Sequence, residues 1–129
     1  MINYARERAT AILQTALTAV LATTGPAGVQ VGEFPCEAAE LDLYLLLPKT
    51  SDHLFNLEQD GRLALHTDQW ELTGRGQAVL PEQALPRISR LAKAGTRWFT
   101  LVKVAPERIN VLRDDGWGST ETIDLTQFR

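Results

Sequence analysis

Apolar residues recur along this chain with two different periods. Ala9, Ile12, Leu13, Ala16, Leu17 and Val20 follow helical spacing, with Arg6, Glu7, Arg8 and Gln14 mostly off that stripe. This predicts a helix over 4–16 with one buried face. From residue 18 the pattern turns β-rich. Strands are expected over 18–24 and 29–38, joined by the turn composition Gly25-Pro26-Ala27-Gly28. Pro35 weakens the second strand and suggests an edge or a bulge there. A third strand over 40–47 places Leu41, Leu43, Leu45 and Leu47 on one face. Tyr44 and Leu46 lie on the other face, so that face is partly covered too. Pro48 stops this run. A short helix with Leu54 and Leu57 three apart follows, then Asp60-Gly61 and another apolar run.

The second half continues in hairpins. Segments 62–67 and 71–80 read as two strands joined near Asp68-Gln69. Gly74 and Gly76 share a face of the second, and barrel curvature explains them better than a ligand wall. Segment 81–94 is a helix candidate with Leu85, Ile88, Leu91 and Ala92 as its stripe, Pro86 near its start and Gly95 at its end. Segments 96–104 and 108–112 are β-rich and separated by Ala105-Pro106-Glu107. The tail after Gly116 ends in a short strand. About six to seven strands in sequential hairpins, with two to three helices, predict a mainly β (α+β) antiparallel fold. Closure into a barrel would remove its open edges.

The chain has 129 residues, 44% of them apolar, which bounds it to one globular domain over 1–129 with a modest core. The net charge is −3 with no basic run, which argues against nucleic-acid binding through a broad patch. The single cysteine, Cys36, cannot form an internal disulfide, and a reducing cytoplasm is the expected home. The N-terminal stretch carries charge and no long apolar core, so neither a signal peptide nor a membrane span is expected.

No catalytic signature stands out: there is no glycine-rich phosphate loop, no paired-cysteine zinc site, and two histidines are too few for a three-histidine zinc site. The connector after Pro48 is the best candidate. Thr50 or Ser51 can cap its helix, and the free N–H groups there can hold an anion. Lys49 adds a point charge, and a neutral His53 can donate one hydrogen bond. Asp52 opposes a phosphate dianion at the same place. Cys36 reads as a small buried hydrophobe and His66 as structural. Trp70, Trp98 and Trp117 could stack on a planar ring, although large aromatics more often belong to a core or an interface.

Ser51, His53, Asn56-Leu57, Asp60, Arg62 and Ala64-Leu65 fall in the spacing of the flavin-binding split-barrel proteins related to pyridoxamine 5'-phosphate oxidase. The pattern of the chain resembles that superfamily from roughly residue 11 to 125. Flavin-binding members typically read Ser-Arg-Lys where this chain has Ser51-Asp52-His53. His53 is more similar to the branch associated with haem utilisation, and Gly116-Trp117-Gly118 resembles that branch's Gly-Phe-Gly stretch. The resemblance implies a split β-barrel and a homodimer with clefts between subunits. It implies FMN held by Lys49, Thr50, Ser51 and His53, with Trp117 near the cofactor, and a flavin-dependent oxidoreductase of unknown substrate. The alternative is a non-flavin binding module of the same fold, for haem or a related tetrapyrrole. Weak or lost FMN binding is expected, because an acid and a histidine replace two cations. The sequence names no catalytic residue.

Overall fold

The structure, a computed structural model, describes residues 3–84, 87–93, 97–112 and 121–126. Helix α1 (Asn3–Leu13) leads into strands β1 (Thr18–Thr23), β2 (Gln30–Ala39) and β3 (Asp42–Pro48). Helix α2 (Asp52–Gln59) follows, then β4 (Arg62–His66) and β5 (Trp70–Val79). The helical turns α3 (Pro81–Ala84) and α4 (Arg90–Lys93) precede β6 (Phe99–Val111) and β7 (Glu121–Asp124). All pairings are antiparallel, in the order β3-β2-β1-β4-β5-β6-β7, and β3 also pairs with β6. That last pairing closes six strands into a barrel and leaves β7 attached to β6.

The alternation in β3 sorts two clusters. Leu41, Leu43, Leu45 and Leu47 pack inside the barrel with Leu21, Leu65, Leu72 and Val104. Tyr44 and Leu46 pack outside it, under Ala84, Ile88 and Leu91. Trp70 is fully buried in the barrel, whereas Trp98 is exposed. Cys36 is buried, as its reading as a small hydrophobe requires, and burial pushes its thiol up to about 11 against the opposing pull of Arg90.

Strand β2 changes partner midway. Residues 30–35 pair with β1 and residues 36–39 with β3. Pro35 lies at the change, where a missing N–H is tolerated, and the next residue, Cys36, donates its N–H to Leu17 O (2.9 Å).

Three expectations need correction. The first helix ends at Leu13, three residues early, and Leu17 is exposed rather than part of its buried stripe. The expected helix over 81–94 is two turns. Glu37 accepts from the N–H groups of Ser89 (3.2 Å) and Leu91 (2.8 Å), which starts a new turn after Ile88. Leu85, Pro86 and Gly95 lie outside the described residues.

The third correction concerns β6, which runs unbroken through Ala105-Pro106-Glu107. The register jumps from Thr73↔Arg108 to Gly74↔Pro106, so Glu107 is the extra residue of a bulge. Its carbonyl accepts from Leu125 N–H (2.8 Å) and so holds the segment after β7. A Cβ on Gly74 would sit 2.5 Å from Ala105 O. Gly74 allows close approach of two backbones there, and it also lines a cleft across β1, β4 and β5.

Candidate functional site

Helix α2 is short and capped at both ends. Ser51 is extended (φ −68°, ψ 134°), and its Oγ accepts from His53 N–H (3.2 Å). At the other end Asp60 N–H bonds Asn56 O (2.9 Å). The Asp60 carboxylate accepts from Arg62 Nε (3.0 Å) and Nη2 (2.7 Å), which pulls its pKa down to about 2. This fork fixes the Arg62 guanidinium beside the start of β4.

His53 and Asn56 share the face of α2 that turns toward β1 and β2. Asn56 is fully buried. Its Oδ1 accepts from Ala27 N–H (2.9 Å), and its Nδ2 donates to Gly28 O (2.9 Å) and Thr23 Oγ1 (3.2 Å). The side chain therefore closes the β1–β2 turn, which takes its shape from Gly28 at φ +85°. Thr23 Oγ1 lies 2.8 Å from His53 Nδ1. Thr23 Oγ1 also accepts from Asn56 Nδ2, so one hydroxyl joins both buried polar side chains of α2. The ring packs edge-on against Phe34, with centroids 5.3 Å apart. Burial lowers the His53 pKa, with Asp52 pulling the other way, so the ring is held neutral.

A cleft of about 440 Å³ crosses the sheet beside this cluster, lined by Ala22, Thr23, Val29, Arg62, Ala64 and Thr73 among others. Ala22, Ala64 and Thr73 are direct cross-strand partners, so small side chains make a flat floor across β1, β4 and β5. Thr23 belongs both to this wall and to the buried cluster.

The structure joins Ser51 and His53 by a hydrogen bond and sets Lys49 at a separate opening. Ser51 caps α2, and Thr50 is exposed beside it. His53 is buried against Thr23 and Phe34. Lys49 lines a separate mouth with Leu54, Leu57 and Glu58. Trp117 lies outside the described residues. Sequence reasoning did not assign site roles to Thr23, Asn56 or Arg62. The signals for Asn56 were its place in the Asn56-Leu57 pair of the family spacing and its position three residues after His53.

These groups do not fit a tightly held phosphate dianion. Lys49 is the only lysine or arginine between residues 41 and 61. The charged side chain in the first turn of α2 is the exposed Asp52. Among the described residues no cluster of three metal-ligand side chains exists, and no helix is long and apolar enough to cross a membrane.

No family model matches the chain, and no curated protein matches it. Solved structures do. A protein related to general stress protein 26, of the pyridoxinephosphate oxidase family, from Clostridium acetobutylicum superposes with a TM-score of 0.69 at 10% identity, over 95% of this chain and 96% of that one. A haem-binding protein from Mycobacterium smegmatis gives 0.67 at 18% identity, over 93% of this chain and 57% of that one. The haem storage protein HutZ from Vibrio cholerae gives 0.60 at 17% identity, over 81% of this chain and 92% of that one. At such identities the likeness is one of fold. The chain has the split-barrel fold of the pyridoxamine 5'-phosphate oxidase-like proteins.

Proposed function

We propose that this chain is a binding module that takes a flat conjugated ring in the cleft across β1, β4 and β5, without a strong phosphate anchor. The observation that carries this reading is the position of His53. Its ring is buried, its Nδ1 is engaged by Thr23, and the neighbouring charge is the acid Asp52. The floor of Ala22, Ala64 and Thr73 leaves room for a ring, and Arg62 stands at its edge. A cleft of about 440 Å³ lies within the size range of small-molecule sites.

Two ligand classes follow from the fold: a flavin held mainly through its ring, or a tetrapyrrole. The haem-binding neighbours support the second. The neighbour of the pyridoxinephosphate oxidase family supports the first, and with it a flavin-dependent oxidoreductase as the alternative reading. The proposed partner is a second copy of the chain. Val29 and Val31 are 77% and 66% exposed beside the cleft, which gives an apolar rim for a symmetric contact.

The test is titration of the purified chain with haem, riboflavin and FMN, followed by absorbance and flavin fluorescence. Saturable binding of haem or riboflavin, weakened by Ala64→Trp in the cleft floor, is the expected result. A chain that binds none of the three would refute the reading.

A further inference from the structure

The α2 end of the barrel carries a second opening, a mouth of about 570 Å³. Leu54, Leu57 and Glu58 line it from α2, and Lys49, Ala78 and Thr100 line it from the barrel. It shares no lining residue with the cleft across β1, β4 and β5. Barrel mouths of this size are common places for small ligands.

The floor of the mouth is apolar. Leu57 belongs to the barrel core, and Leu54 packs against it. Ala78 pairs with Val102 and Thr100 with Leu47, both core residues. Directly opposed residues of an antiparallel pair project to the same face, so Ala78 and Thr100 face the end of the barrel interior.

Two charged side chains of opposite sign line this floor, Lys49 and Glu58. Both are exposed, and among the described residues neither joins an ion pair, with the other or with a third group. Their backbones are fixed. Lys49 N–H donates to Trp98 O (3.0 Å), and Glu58 lies within the capped helix α2. Helix stability accounts for neither charge, because a cation before the N-terminus and an acid in the last turn both oppose the macrodipole. Glu58 stands six residues after Asp52, the first residue of α2, a rise of about 9 Å along the axis. Helical side chains lean toward the N-terminus, so Glu58 leans toward the Lys49 end. Leu54 and Leu57 lie between the two charges, which are too far apart to pair and line one opening.

We propose that this mouth binds a short-chain zwitterion that carries a carboxylate at one end and an ammonium group at the other. Lys49 holds the carboxylate, Glu58 holds the ammonium group, and the methylene chain lies over Leu54 and Leu57. The site is separate from the ring cleft, and neither needs the other to be filled.

Amide correlation spectra of the full chain, titrated at low salt with 6-aminohexanoate, test this. Hexanoate and hexylamine each lack one charge, and norleucine is the isomer with both charges at one end. The expected result is saturable shifts at the amides of Leu54, Leu57, Ala78 and Thr100, with a dissociation constant of about 1 mM for 6-aminohexanoate. The three analogues bind about fivefold weaker or worse. Lys49→Met removes the advantage over hexylamine, and Glu58→Gln removes the advantage over hexanoate. The analogue comparison is made on the wild-type chain, so it stands whatever the variants do to folding. Equal binding of 6-aminohexanoate and any one analogue to the wild-type chain overturns the proposal. So does shift at Ala22, Ala64 and Thr73 instead of the mouth, or no saturation by about 10 mM.

Discussion

Thr23 and His53, thirty residues apart, share a 2.8 Å contact between Oγ1 and Nδ1 that joins the wall of the ring cleft to the inner face of α2. The contact holds the imidazole in the buried cluster, with its ring against Phe34. A residue type that suggests chemistry in the sequence is here committed to holding a helix against a strand. Thr23 also lines the cleft across β1, β4 and β5.

Asn56 is the tightest joint of that cluster. Asn56→Ala would remove the partner of Ala27 N–H and Gly28 O in a part-buried turn, and the donor to Thr23. A loss of about 2–4 kcal/mol is expected, from the unsatisfied groups and the space left behind. Denaturant midpoints of wild type and variant measure it. A change below about 0.5 kcal/mol would show that the turn holds itself.

The His53 pKa sets a pH dependence with a defined sign. Burial lowers it in the folded state below the ordinary 6.5. The unfolded chain therefore binds the proton more readily, and stability rises with pH in the window between the two values. The contribution is complete above about 6.5 and is lost as pH falls through the folded value. Chemical denaturation from pH 7.5 down to pH 4.5 would show this slope, and His53→Gln would flatten it. An unchanged slope in His53→Gln would show that His53 is not its source. Asp60, with its pKa of about 2, acts below the scanned range.

Gly74 on β5 faces the β6 bulge and lets the backbone at Ala105 and Pro106 come close. Gly74→Ala places a methyl 2.5 Å from Ala105 O and 2.9 Å from Pro106 Cα, both backbone atoms. The strands must separate, at an expected cost of about 1–3 kcal/mol. Thermal unfolding checks this, and an unshifted midpoint would mean that the bulge relaxes freely.

Much of the fold was legible in the sequence because its signals are local. The alternation of Leu41, Leu43, Leu45 and Leu47 against Tyr44 and Leu46 identified both faces of β3, and each face found its own cluster. Pro35 marked the place where β2 changes partner. The continuity of β6 was not legible, because Pro106 is tolerated only through a glycine thirty-two residues earlier in the chain, at Gly74. The helix over 81–94 failed for a similar reason: the start of α4 is capped by Glu37, on a distant strand. In the candidate site, the cap at Ser51 was readable from its neighbours. The burial of His53 was not, because its partners Thr23 and Phe34 come from β1 and β2.

The central claim is that the α2 end lacks a phosphate anchor. Two missing charged hydrogen bonds, at about 1.5–3 kcal/mol each, weaken a phosphate ligand by a few powers of ten. The direct measurement is the affinity of wild-type protein for FMN against riboflavin, which differ only in the phosphate, by fluorescence titration. The account predicts FMN binding no tighter than about 1 μM and within about tenfold of riboflavin. A nanomolar FMN complex, about a thousandfold tighter than riboflavin, would contradict it.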